Sequence, residues 1–428
     1  MVLSKRVPIP VPEAVEKIVA YQINMSTETV LLQDCDQRYL AEDIIATHDV
    51  PPFSRSPYDG FAIIAEDTSE GSTERPVTLE VIDAIGAGQV SPQPLKSGQA
   101  IRIMTGAPIP AGANAVIMLE LVQEKKEGER TFITIKRKVK PDENISFQGE
   151  DAKKGTVLVE KGTKIEPGVV ALLATFGYEQ VKVYKKPIVG ILATGTELLD
   201  VNEALVPGKI RNSNAYMIAA QVKKMGAEPH IFKKVPDDFD ASFEAVSGLI
   251  EEVDVLITTG GVSVGDFDYL PQIYEKLGAA VLFNKIAMRP GSVTTVASYK
   301  TKLLFGLSGN PSACFVGCEL FVRPYLLGSF GVKKKHLAAR TACLEVDYPK
   351  PNPFTRFVRA QAESIEGTLT TRPVGLDTSG AVTSIAEANA LMVLPGGTRG
   401  WSKGANVKVL LFNGEGSEWP WDECVPSR

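Results

Sequence analysis

From residue 188 onward, short and nearly continuous apolar runs alternate with stretches whose apolar residues recur three and four positions apart. The runs read as strands buried on both faces, and the spaced stretches read as helices with one apolar side. Strands are predicted at Ile188 to Ala193, Ile231 to Val235 and Val253 to Ile257, and near Ala279 to Phe283, Val293 to Ala297 and Lys302 to Gly306. A helix starts at Asn214 with Ala215, Ile218, Val222 and Met225 on one face and Gly226 as its stop. Two more carry Phe243, Val246, Ile250, Val253 and Leu270, Ile273, Tyr274, Leu277, and Pro311 opens a last one. Strand and helix alternating at this spacing imply a mostly parallel, doubly wound α/β sheet with right-handed crossovers.

Earlier in the chain the pattern differs. Residues 12 to 23 read as a helix with Pro12 in its first turn and Val15, Ile18 and Val19 on one face. Strands follow near Thr29 to Gln33 and Ile44 to Thr47. From about 76 to 138, runs at Val77 to Ile82, Ala100 to Met104, Ala115 to Leu119 and Thr131 to Lys136 lie between Gly and Pro turns, which makes this part β-rich. A strand at Thr156 to Val159 and a helix from Pro167 to about Phe176, stopped by Gly177, resume the mixture. The expected organisation is a discontinuous linker domain (1–50 and 139–184) around a β-rich insertion (51–138), an α/β domain (185–330) and a C-terminal β domain with a tail (331–428). Short strands and Gly/Pro turns at 340 to 412 make the last domain a small β unit. Lys333-Lys334-Lys335 reads as a solvated linker, and the tail from Asn413, with Trp419 and Trp421, as partly mobile.

The 428 residues are too many for one core. Hydrophobic residues at 44% and charged residues at 23% are ordinary for a globular protein. A net charge of −5 argues against nucleic acid held on a basic surface, while leaving room for a small anion in a local pocket. Five scattered cysteines (35, 314, 318, 343, 424) suit reduced thiols, and Cys314 and Cys318, four apart on a helix, suit a core. No run approaches a membrane span and no signal-peptide core opens the chain, so the expected place is the cytoplasm.

Candidate chemistry concentrates after the third α/β strand, in Thr258 to Tyr269. Gly260, Gly261 and Gly265 let backbone N–H groups approach an anion, and Ser263 adds a hydroxyl. Asp266 and Asp268 follow, and two carboxylates beside such a nest suit a divalent cation that bridges to a phosphate. Other predicted strands end in similar loops: Thr194 to Glu197, Asp237-Asp238, and Ser308-Gly309-Asn310-Pro311. In doubly wound sheets ligands collect at these carboxyl ends. Lys285, Arg289, Gly291 and Ser292 can add positive charge to the edge. Farther upstream, Thr105-Gly106 stands at a strand end, and Asp59, after the proline-stiffened Pro51 to Pro57, reads locally as a turn carboxylate bonded to its own backbone. Zinc chemistry is disfavoured because His48, His230 and His336 stand at no ligand spacing. Neither a dinucleotide fingerprint nor a Walker loop is present. What is left is metal-assisted chemistry at a phosphate or similar oxyanion.

Six motifs in order resemble the MoeA and gephyrin family, the molybdopterin molybdenumtransferases. They are Pro51-Pro52-Phe53 through Asp59-Gly60, Thr105 to Pro110, Gly149-Glu150-Asp151, Thr194 to Leu198, Thr259 to Gly265, and Gly309-Asn310-Pro311. The resemblance spans nearly the whole chain and implies an elongated, four-part subunit in a homodimer, with a molybdopterin-binding fold at 185–330. It implies that adenylylated molybdopterin and molybdate are substrates, that Mg²⁺ assists phosphoanhydride cleavage, and that AMP leaves as the metal enters. Glu197, Asp237 and Asp268 are then the acidic site residues, with Lys285 and Arg289 holding oxyanions. Asp59, Thr105 and Asp151 come from the other subunit, and Ser379 from the last domain. The implied partners are a second copy, other molybdenum cofactor biosynthesis proteins and apo-molybdoenzymes. Where the family usually has Lys-Pro-Gly-Lys-Pro this chain has Arg289-Pro290-Gly291-Ser292-Val293; Ser308 replaces a Pro and Ser146 an Arg. Two other readings fit the same residues: a molybdopterin carrier or scaffold without catalysis, and a nucleotide pyrophosphatase.

Overall fold

A computed structural model describes residues 7–21, 25–235, 238–260 and 269–421. The chain divides into two compact units, Asp43–Glu160 with Gly168–Glu179, and Met1–Glu42 with Lys161–Pro167 and Gln180–Arg428.

The first of these is built on a six-stranded sheet in the order Ala115–Met118, Gly60–Ile63, Gln99–Ile103, Val77–Ile85, Arg130–Ile135, Val122–Glu127. Two of its strands carry no strand signal in the sequence. Gly60–Ile63 is central and wholly buried, but it follows directly on a proline-rich turn that masks it. Val122–Glu127 is an almost fully exposed edge, so nothing apolar marks it. At Gly60 a Cβ would fall 2.1 Å from the Ile117 carbonyl oxygen, so only glycine allows the sheet to close there. Phe61, Ile63, Leu79, Ile117 and Ile133 pack one face of the sheet, and Ile85, Ile101, Ile103 and Val116 the other.

The larger unit holds the α/β sheet, ordered Glu228–Ile231, Ile188–Ala193, Val255–Thr259, Lys302–Leu307, Thr295–Tyr299, Ala280–Phe283. The first four are parallel. The last two are added through an antiparallel hairpin, Thr295–Tyr299 with Lys302–Leu307, and an antiparallel edge. Along each strand alternate residues serve opposite cores. Ile191, Val255, Ile257 and Phe305 face the helix Asn214–Lys224 and the helical run from Pro311. Leu192, Leu256 and Leu304 face the helices Phe239–Glu252 and Leu270–Lys276. Each such side chain contributes roughly 1.5–3 kcal/mol by leaving water, which is why the runs are apolar on both faces.

Other details also differ from the reading of the sequence. The second parallel strand is Glu228–Ile231 rather than 231–235, because an edge strand with a mostly exposed pattern carries no apolar run to mark it. Asp238 caps the helix Phe239–Glu252 by accepting the Ala241 N–H at 2.9 Å, so it is a helix-start residue. The first helix is shorter, Val11–Val19, with Pro12 in its first turn.

Five strands, Ala338–Leu344, Thr355–Ile365, Thr368–Pro373, Ala390–Leu394 and Asn406–Leu411, form a closed barrel, sealed by pairing of Thr355–Ile365 with Ala390–Leu394. A short strand, Met288–Arg289, pairs in parallel with its rim and sets Arg289 opposite Arg356. The tail is docked through Trp421 rather than loose. Ser417 exchanges backbone bonds with His336 at 3.1 Å, and Trp419 and Trp421 stand edge-on to the His336 ring. Aromatic burial explains the difference, since Trp421 is 7% exposed and belongs to the main core.

Candidate active site

At the carboxyl edge of the parallel strands, Thr194 donates its amide to the Thr259 carbonyl at 2.9 Å, and Gly260 donates its own to Leu307 at 3.2 Å. Gly260 has φ +88°, and a Cβ there would lie 2.4 Å from the Thr194 carbonyl oxygen. Both the conformation and the close approach require glycine. Gly309 packs on Gly260, and the Asn214 side chain anchors the Gly309 carbonyl at 2.8 Å. Thr194, Gly195, Gly260, Ser308, Gly309, Asn310 and Pro311, predicted from separate loops, therefore lie on one edge. Glu197 is exposed and folds back on Gly195, where a Cβ would fall 2.5 Å from Glu197 Oε2. Its carboxylate is the kind of hard oxygen donor that Mg²⁺ takes. Asp237, Gly261, Ser263, Asp266 and Asp268 lie outside the described residues. Among the described residues no three His, Cys, Asp or Glu side chains gather as a metal site.

Beside this edge is a cavity of about 290 Å³ whose lining includes Arg289, Ser308, Asn310, Arg356, Arg359, Asp377 and Ser379. Ser379 is brought in by its own loop: its carbonyl accepts the Ser312 N–H at 2.9 Å, and Ser312 Oγ donates to Ala381 at 2.7 Å. Arg359 is buried and Arg356 partly so, at 1% and 13% side-chain exposure, and both pair with Asp377. Burial pushes the Asp377 carboxyl up, but bonds from Tyr348 and Lys350 and the charge of Arg356 outweigh it and hold the group below its ordinary range. A cluster of guanidinium groups beside hydroxyls suits a small oxyanion. Arg356, Arg359 and Asp377 were missed from sequence. The available signal was an arginine at 359 within the apolar stretch Phe357 to Ala360. Lys285 does not line this cavity; it is half-buried, with its carbonyl taken by the Ile9 N–H at 3.1 Å.

In the other compact unit, Asp59 Oδ1 accepts both the Thr105 N–H at 2.7 Å and the Thr105 hydroxyl at 2.8 Å. The local reading of Asp59 as a turn carboxylate bonded to its own backbone is thus replaced by a clamp between two motifs. The Thr105 amide first, and its hydroxyl second, hold the Asp59 carboxyl below its usual range. Thr105 lines a cavity of about 640 Å³ together with Arg55, Tyr58, Gly106, Ser146 and Glu150. Ser146 donates to Glu150, whose carboxyl is lowered by that bond and by the Phe147 N–H. Asp151 is exposed and does not line this cavity. Cys314 and Cys318 are fully buried core thiols, both pushed up by burial.

An α/β sheet whose carboxyl edge carries glycine and hydroxyl loops, and adjoins a guanidinium-lined cavity, has the build of an enzyme for small anionic substrates. Comparison with known proteins makes this particular. Residues 9–177 match the family model "MoeA N-terminal region (domain I and II)", 190–328 match "Probable molybdopterin binding domain", and 341–412 match "MoeA C-terminal region (domain IV)". The chain is 59% identical over 420 residues to the molybdopterin molybdenumtransferase of Bacillus subtilis (strain 168), covering 98% of each protein. It is 51% identical over 418 residues to that of Staphylococcus aureus (strain COL), covering 98% of this chain and 99% of that one. The crystal structure of the molybdopterin biosynthesis moeA protein from Pyrococcus horikoshii OT3 superposes with a TM-score of 0.82 at 34% identity, over 95% of this chain and 100% of that one. The chain belongs to the MoeA family, the molybdopterin molybdenumtransferases of molybdenum cofactor biosynthesis.

Proposed function

We propose that this enzyme binds adenylylated molybdopterin and molybdate in the cytoplasm, cleaves the phosphoanhydride and transfers molybdenum to the dithiolene as AMP leaves, the last step of cofactor synthesis. The observation that carries the reading is the cavity of Arg289, Arg356, Ser308 and Ser379, which adjoins the Thr194, Gly260 and Gly309 loops. An oxyanion reactant and a phosphate-bearing reactant would then sit side by side, which removes much of the entropic barrier to their reaction. Backbone N–H groups and hydroxyls of the strand-end loops orient the phosphates; Arg289 and Arg356 hold the metal oxyanion.

Glu197, with Asp266 and Asp268, would hold Mg²⁺, which supplies charge neutralisation at the phosphoanhydride when bound. Asp237 belongs to the same acidic set. In the proposed homodimer, Asp59, Thr105 and Asp151 serve the partner copy's site, and Asp59, kept ionised by Thr105, supplies it with a standing negative charge for a cation. Apo-molybdoenzymes and other cofactor biosynthesis proteins are the proposed partners for handover. We propose as well the four-part division 1–50 with 139–184, 51–138, 185–330 and 331–428. Pairing of Thr27–Leu31 with Gln180–Tyr184 and of Ile44–Ile45 with Val157–Val159 supports its discontinuous part.

The deciding experiment is AMP release from adenylylated molybdopterin with Mg²⁺, with and without molybdate. Release that needs molybdate and yields cofactor able to activate an apo-molybdoenzyme is expected. Release indifferent to molybdate would make the protein a pyrophosphatase, and tight binding without release would make it a carrier or scaffold.

A further inference from the structure

Two arginines of the barrel line the oxyanion cavity, and the chain uses them differently. Arg359 serves the protein itself. Its Nε donates to Ser384 Oγ at 3.2 Å, its Nη1 to Asp377 Oδ1 at 3.4 Å, and its Nη2 to the carbonyls of Leu376 and Thr378 at 2.9 and 3.0 Å. These bonds brace the loop that carries Ser379 and take all but one of the N–H groups a guanidinium has. Arg356 donates from Nε to Asn352 Oδ1 at 2.6 Å and from Nη1 to Asp377 Oδ2 at 3.0 Å, with the Tyr348 hydroxyl as a further neighbour. N–H groups therefore remain on Arg356 for a ligand in the cavity.

What holds Arg356 in this orientation is a one-way chain of hydrogen bonds that starts outside the cavity. The Thr398 hydroxyl donates its only hydrogen to the Pro395 carbonyl at 3.0 Å, so it meets Asn352 Nδ2 at 3.1 Å as the acceptor. The Asn352 amide then presents its oxygen, not its nitrogen, to the donor-only Nε of Arg356. Asn352 is 1% exposed, and neither it nor Thr398 lines the cavity. Arg289 stands opposite Arg356 across the strand pair, and like charges so placed repel. Anchors on Nε and Nη1 keep the Arg356 plane fixed against that repulsion.

We infer that Asn352 and Thr398 are positioning residues for molybdate binding, which fix the guanidinium plane of Arg356 before the oxyanion arrives. The inference rests on the reading of the cavity as the oxyanion site. An untethered arginine loses much rotamer freedom when it closes on a ligand, and fixing it beforehand removes that loss from binding. The direction of the amide matters as much as its presence. Turned about, Asn352 would set N–H against N–H and push Arg356 out of its plane.

The test is equilibrium dialysis of the full chain with molybdate. Arg356→Ala is expected to lose binding, and Asn352→Ala to raise the dissociation constant about tenfold. Thr398→Val, which keeps the side-chain shape and leaves the Asn352 amide untethered, is expected to raise it about fivefold, and Thr398→Ser to leave it unchanged. The turn survives either change at 398 because its backbone is bonded independently. The Asn352 N–H donates to the Thr398 carbonyl at 2.9 Å, and the Gly397 N–H to the Asn352 carbonyl at 2.6 Å. The same order is expected in the molybdate concentration for half-maximal AMP release rather than in the saturated rate. Affinity unchanged in Asn352→Ala and Thr398→Val, while Arg356→Ala fails to bind, would overturn the positioning role and leave the oxyanion site standing. Equal weakening by Thr398→Ser and Thr398→Val would also overturn it, since the hydroxyl would then not be the cause. Molybdate bound as well by Arg356→Ala as by the unaltered chain would overturn the reading of the cavity, and the inference with it.

Discussion

Asp59 and Thr105 show how a single contact changes the meaning of two motifs. Each alone is a turn residue, yet the carboxylate accepts both the amide and the hydroxyl of Thr105, and that pairing holds it ionised. A carboxyl with a lowered pKa adds to stability above its unfolded pKa, and that contribution disappears as pH falls through the lower, folded value. Thr105→Val keeps the amide donor and removes the hydroxyl. The Asp59 carboxyl is therefore expected to titrate at higher pH in this variant while staying below the ordinary range. Carbon-13 NMR of the side-chain carboxyl checks this, and an unmoved titration would show that the hydroxyl contributes nothing.

Among elements, the docked tail has the clearest energetic consequence. His336 is 4% exposed under Trp419 and Trp421, and burial, aided by the charge of Lys335, pushes its pKa down to about 4. In the unfolded chain it titrates near 6.5, so the unfolded state binds more protons between those values. Stability is then complete above about pH 6.5 and falls as pH drops toward 4, by roughly 3 kcal/mol from this group. Urea unfolding of the unaltered protein and of His336→Gln at pH 7.5 and pH 4.5 should show a smaller pH difference in the variant. Equal differences in the two would assign the acid sensitivity elsewhere. Gly416 is what lets the tail approach, since a Cβ there would fall 2.2 Å from the Lys334 carbonyl oxygen.

For the assembled protein, the proposal that each copy lends Asp59 to its partner predicts complementation. Asp59→Asn and Arg356→Ala chains, each inactive alone, are expected on mixing to recover about a quarter of full AMP release, the statistical share for exchanging dimers with one complete site in two. No recovery after demonstrated subunit exchange would place both residues in one copy's site or remove one of them from the reaction.

The elements and strand-end loops were legible in the chain because their signals are local. Two-sided burial makes apolar runs such as Val255 to Ile257, one-sided burial spaces Ala215, Ile218 and Val222, and tight backbone approach demands Gly260. Edge strands such as Glu228–Ile231 and Val122–Glu127 were not legible, since exposure leaves no apolar mark. The arginine cavity was even less so. Arg289 and Arg356 belong to segments far apart in sequence, and they meet only because Met288–Arg289 pairs with Thr355–Arg356 at the barrel rim. An arginine's charge can be read at any position, but whether it is solvated, braced by a carboxylate or aimed at a ligand depends on neighbours that chain folding alone supplies.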